Sequence, residues 1–247
     1  MKKSLFAIYL SLFTLTISAQ ESNLTQIDLQ LSKMYDGLRF ADWEAKDTLV
    51  PAFTNKLYAT LATPESFSHP FDSLSTKILR VTSPDIKINI WSWDKYTGGN
   101  WHQNMTAVQF RTEDGKLGFR QLNSGEEMRL GAYTDVYIQE IFEIKEGGDM
   151  YYLTFGRGTH GSGNYHRIAQ VFSIKGNEFI KCEPCFEGES DLVLEAWRGD
   201  EIELEFYLNK NEIKHTALIQ DDITGRYLAT DKMQKWKFVN GTFITNN

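Results

Sequence analysis

After Thr76 the spacing of apolar residues changes from near 3.6 to 2, and turn residues recur every ten to fourteen positions to the end of the chain. No long helical segment interrupts this stretch, so the crossover connections that a parallel sheet needs are missing. The spacing predicts a run of antiparallel hairpins, with strands over 77–82, 86–93, 103–111, 116–122, 135–144, 150–155, 167–175, 178–182, 191–197, 201–208, 212–219, 226–230, 235–239 and 242–245. Pro84-Asp85, Asp114-Gly115, Gly147-Gly148-Asp149, Gly176-Asn177, Gly199-Asp200 and Asn240-Gly241 supply the turns. A meander this long closes into a barrel, splits into two packed layers or divides into propeller-like blades. The pattern does not choose, and no WD or kelch signature recurs at a fixed period.

Ahead of the meander, Leu24, Ile27, Leu31, Met34, Tyr35 and Leu38 fall on one face of a helix. Phe53, Leu57 and Leu61 form a second stripe, with Pro51 at a first helical position. Thr63-Pro64-Glu65-Ser66 opens a short third helix carrying Phe67 and Phe71. The fold class is α+β, mostly β: a helical segment over 20–76, then an antiparallel β domain over 77–247.

Residues 1–19 are expected to leave before the protein folds. Lys2 and Lys3, an apolar run from Leu5 to Ile17 and Ser18-Ala19 form a signal peptide with cleavage near Ala19. The apolar run is short of the roughly 20 residues a membrane span needs. Cleavage removes two lysines and no acid, leaving 24 basic against 33 acidic residues and shifting the net charge from −7 to −9. A chain of that sign without a Lys/Arg cluster lacks the footprint for nucleic acid. Export to the periplasm or medium also separates it from cytosolic nucleotide cofactors, and no cofactor is expected.

The block from Pro64 to Leu74, PESFSHPFDSL, and the block from Ser83 to Trp93, SPDIKINIWSW, resemble segments of a group of exported, β-rich bacterial proteins of Bacteroidota type. Those proteins share a P-x-S-F-x-x-P-F-x-S-L segment and an S-P-D turn into a strand ending in Trp. Trp236-Lys237-Phe238-Val239-Asn240-Gly241-Thr242-Phe243 is similar to their closing hairpin, with the aromatic residues placed differently. The resemblance implies an exported β-rich fold and carries no activity and no catalytic residues.

In the second strand, Ile86, Ile88 and Ile90 share one face while Trp91 and Trp93 share the other with Lys87 and Asn89. Asp94, Tyr96, Trp101 and His102 follow around Gly98-Gly99. An aromatic platform beside a carboxylate suits a sugar ring or another flat ligand. The competing expectation is that both indoles are core and the glycines only turn the chain.

Gly156-Arg157-Gly158-Thr159-His160-Gly161 spells G-x-G-x-x-G, but Arg167 to Lys175 reads as a strand where a dinucleotide site needs a helix. The run through His166 is expected as a mobile hairpin loop, with Arg157, His160 and His166 as a lesser candidate for an anion or metal. Cys182-Glu183-Pro184-Cys185 has redox-motif spacing without the following helix, and no second pair for zinc. A turn disulfide is favoured over an extended dithiol; Pro184 at the third turn position would favour a cis bond. Glu201, Glu203 and Glu205 alternate with Ile202, Leu204 and Phe206 as the solvated face of a strand. Neither His-Glu-x-x-His nor Gly-x-Ser-x-Gly occurs.

These features favour an exported, non-catalytic module that binds a small molecule, a glycan or an envelope protein through residues 91–102. One alternative is an envelope hydrolase whose Asp94 and His102 or His160 meet only on folding. The other is a structural protein of the envelope, recognisable by an exposed apolar patch.

Overall fold

The computed structural model describes residues 23–99, 101–123, 136–161 and 163–245; the expected leader and its cleavage point lie outside them. The chain divides into two compact units between Ile78 and Leu79.

In the first unit, helix α1 covers 23–40 and buries Leu24, Asp28, Leu31, Tyr35 and Leu38, the four-three repeat of one face. Buried Asp28 is not a misplaced charge. Its carboxylate accepts the backbone N–H groups of Ser73 and Leu74 at 2.9 and 2.8 Å, fixing the 3-10 turn Leu74–Thr76. Helix α2, Trp43–Leu61, starts eight residues before Pro51 because Asp42 caps it, Oδ1 accepting from the Ala45 N–H at 2.9 Å. Pro51 therefore sits inside the helix, tolerated while Phe53, Leu57 and Leu61 bury the same stripe. The expected third helix contracts to a 3-10 turn, Pro64–Phe67, and Phe71 adopts a positive φ of 52°.

The second unit is built from thirteen described strands, all pairing antiparallel. Sheet A takes β1 (Leu79–Thr82), β2 (Ile88–Asp94), β3 (Asn104–Arg111) and β4 (Leu117–Asn123) in chain order. Sheet B takes β5 (Tyr137–Glu146), β6 (Asp149–His160), β7 (Asn164–Lys175) and β8 (Glu178–Lys181), with β9 (Asp191–Trp197) pairing β7 beyond β8. Sheet C takes β10 (Leu204–Tyr207), β11 (Glu212–Gln220), β12 (Tyr227–Val239) and β13 (Thr242–Thr245). None of the three closes into a barrel, and the arrangement is sandwich-like.

Sheet B is apolar on both faces. Tyr152, Ile168, Phe172 and Phe179 pack with Ile88, Ile90, Val108 and Phe110 of sheet A. The intervening Leu153, Phe155, Ala169 and Val171 pack with Ile213, Trp236, Phe238 and Phe243 of sheet C. In β5 the two faces are kept in phase by a bulge between Ile138 and Glu140, which lets Ile138 and Ile141 point the same way although three residues apart. The Asn240-Gly241 turn has φ of 53° and 82°, and Gly147-Gly148 has 61° and 95°, the positive values that two-residue hairpins demand.

Two stretches differ from the expected strands. The stretch 156–166 is not a loop: β6 and β7 stay paired from Tyr151↔Ser173 to His160↔Asn164. Glycine in a strand reads as a break, but Gly156 is there because a Cβ would lie 2.5 Å from Val136 Cγ1 and 3.1 Å from the Tyr137 carbonyl oxygen. The strands expected at 226–230 and 235–239 are one continuous β12, whose phase is broken where β11 shifts register between Thr216 and Leu218.

Among the described residues, no helix is long and apolar enough to cross a membrane.

Candidate functional site

The second strand begins at Ile88, so Ile86 leaves the expected face: it sits in the preceding turn at a φ of 57° and is exposed. From Ile88 on the strand is buried throughout, and its two indoles do not form an open platform. Trp91 and Trp93 are 0% and 1% exposed. The polar neighbours that suggested a wet face belong to a buried polar network instead. The Trp91 indole N–H donates to Gln109 Oε1 at 3.0 Å, and the Arg80 guanidinium lies 5.0 Å from its ring centroid. Asn89 Oδ1 accepts from Thr82 Oγ1 at 2.7 Å and from Arg80 Nε at 3.3 Å. Of the aromatic candidates, Tyr96 and Trp101 keep partial exposure.

Asp94 ends β2 on the opposite face from the indoles, and its carboxylate organises the next loop. Oδ1 accepts the Tyr96 N–H at 2.8 Å, while Oδ2 lies 2.6 Å from Nδ1 of His102. Lys95 N–H to the Gln103 carbonyl, 2.9 Å, and Trp101 N–H to that of Gly98, 3.0 Å, close the loop. The Asp94 side chain is 11% exposed and that of His102 48%, so the acid stands behind a ring that faces solvent.

The tip of the β6–β7 hairpin meets this loop. The His102 N–H donates to Thr159 Oγ1 at 2.9 Å, and the Trp101 ring meets that of His160 edge-on, centroids 5.6 Å apart. Nε2 of His160 lies 2.7 Å from Nδ1 of His166. Gly158 stands opposite His166 on the adjacent strand, and the His160 ring packs on that of His166 with centroids 4.7 Å apart. Glu195 of β9 is opposite His166 on the other side. Arg157 does not join this cluster, because strand alternation turns it to the other face of sheet B.

Burial holds the His166 imidazole well below its ordinary range, at about 3, with the His160 ring adding to the effect. Burial lowers His160 too, against the pull of the Glu195 carboxylate. Two ring nitrogens in hydrogen-bond contact need one proton and one lone pair between them, so the pair excludes the doubly protonated state. In the Asp94–His102 contact, an ionised carboxylate accepts from Nδ1–H and leaves Nε2 of His102 as the basic atom.

No family model, curated protein or solved structure matches this chain. Among the described residues, no group of three or more His, Cys, Asp or Glu side chains could hold a metal ion. The G-x-G-x-x-G run lies in β6 and its turn, with a strand and no helix after it. Cys182 and Cys185 form a disulfide, Cα atoms 5.6 Å apart, and every described peptide bond is trans, that of Pro184 included.

Thr159, Glu195 and Tyr137 went unsingled in the sequence. Thr159 sits inside the glycine-rich run, Glu195 reaches His166 through the β7–β9 pairing, and Tyr137 lies near enough to Asp94 to feel its charge. Tyr137 is paired with Arg157, and burial raises its phenol with Asp94 contributing in the same direction.

Proposed function

We propose that the protein is an exported binding module whose ligand surface is the rim formed by Trp101, His102, Thr159 and His160. The observation that carries this reading is the His102 N–H to Thr159 Oγ1 bond, which joins a loop of sheet A to a hairpin of sheet B and places two part-exposed rings together. A ring for stacking, with imidazole and carboxylate groups for orientation, suits a glycan or another hydroxyl-bearing ligand. Export is supported by the leader pattern in residues 1–19 and by the Cys182–Cys185 disulfide, a bond that persists in oxidising compartments. Ligand-observed NMR of the folded protein against soluble cell-wall glycans tests it: a hit is expected to be lost in Trp101→Ala. Retention of full binding by that variant would remove the rim from consideration.

The 2.6 Å Asp94–His102 contact favours a second reading, a hydrolase in which His102 is the general base. His102→Ala and Asp94→Asn would then abolish turnover of a substrate found by screening chromogenic esters and glycosides. Turnover unchanged in both variants would exclude these residues as its source.

A further inference from the structure

On the face of sheet B turned away from the histidines, an open groove of about 960 Å³ runs beside the segment 200–207. Arg157 and Arg167 stand directly opposite each other on β6 and β7 and both line it. Opposite residues of an antiparallel pair have Cβ atoms about 5 Å apart, and like charges so placed repel. The usual relief is an acid between them. None is provided: among the described residues neither guanidinium forms an ion pair, although Glu140, Glu201, Glu203 and Glu205 line the same groove. Arg167 spends one donor on the Ile202 carbonyl at 3.4 Å, and its Nε–H, closed to solvent, reaches no acceptor.

Guanidinium pairs with unspent donors match the fork geometry of a carboxylate. The rest of the groove says what the carboxylate is attached to. Phe142 and Phe206, ring centroids 5.3 Å apart, give an apolar floor, and the glutamates are exposed at its edge. Those acids disfavour a polyanion and favour a ligand with a cation at its other end. The groove wall is also fastened, since the Tyr165 hydroxyl donates to the Asp200 carbonyl at 2.6 Å.

We propose that this groove binds a short zwitterionic peptide, its carboxylate between Arg157 and Arg167, its side chains over Phe142 and Phe206, and its ammonium among the rim glutamates. The probe is trialanine, titrated into the full protein by calorimetry and by NMR shift mapping. Trialanine is expected to bind, and its C-terminal amide and its N-acetyl form each to bind about tenfold or more weakly, one charge-assisted contact having gone from each. Arg157→Gln, at an exposed position, is expected to weaken trialanine similarly without lowering the melting temperature; Arg167→Lys, which keeps the charge and loses the fork, serves as the second variant. Absence of trialanine binding at millimolar concentration would overturn the proposal. So would equal binding of the amide, unchanged binding by both variants, or acetate alone binding as tightly as the peptide.

Discussion

Trp236 donates its indole N–H to Nε2 of His215 at 2.9 Å. Indole is a donor only, so Nε2 must be bare, and Nδ1 carries the ring proton and donates it to the Thr216 carbonyl at 2.8 Å. The His215 ring is thereby held neutral in one tautomer, and its burial lowers its pKa in the same sense. Trp236→Phe would leave a buried lone pair without a donor, which costs about 1–3 kcal/mol. Urea unfolding should show a loss of that size, and a variant as stable as the parent would refute the account.

Acid should weaken the fold once pH drops below about 6.5. His166 ordinarily takes its proton near 6.5 but in the folded protein only at about 3. Between those values the unfolded chain binds a proton that the folded one does not, so stability falls as pH drops, by about 1.4 kcal/mol per pH unit from this residue. Above 6.5 both states are neutral there and the contribution is constant. His160 and His215, both lowered by burial, act in the same direction. The urea midpoint should therefore drop between about pH 7 and about pH 5, with a shallower slope in His166→Gln. A flat midpoint would show that these rings do not resist protonation.

Two glycines should respond oppositely to alanine. Gly156→Ala drives a methyl into Val136 Cγ1 and the Tyr137 carbonyl, a cost of about 1–3 kcal/mol. Gly37, inside α1 with open space around its would-be Cβ, should gain about 0.5–1 kcal/mol on the same change. Thermal melts of the two variants shifting the same way would contradict this.

Reducing the Cys182–Cys185 bond should cost about 2 kcal/mol, the loop-closure value for so short a bridge. Cys185 is fully buried, so the effect requires Cys182→Ala with Cys185→Ala or prolonged reduction under mild denaturant. An unchanged unfolding midpoint after verified reduction would show that the bridge adds nothing to packing already present.

Most strands named from sequence are present, and the named turns join paired strands except Gly199-Asp200, where the chain passes from sheet B to sheet C, because alternation and turn residues are local signals and strand pairing is not. Positions governed by a distant segment were not legible in this way. Lys87 and Asn89 made the Trp91 face look wet, whereas Asn89 is satisfied by Arg80 and Thr82 inside a buried network. Gly156 reads as loop because its reason for being glycine lies across the sheet, in Val136. Asp94 and His102 were visible as neighbours eight residues apart. Their meeting with Thr159 depends on how sheet A stacks on sheet B, which alternation does not encode.

The middle sheet carries apolar core on both of its faces. Chains cut after β9 would uncover Leu153, Phe155 and Val171, and chains starting at β5 would uncover Ile168 and Phe172. Neither fragment would stay in solution long enough to be a useful intermediate, because each would present a sticky, strand-edged surface to its copies. Losing either outer sheet therefore leaves one apolar face of the middle sheet uncovered.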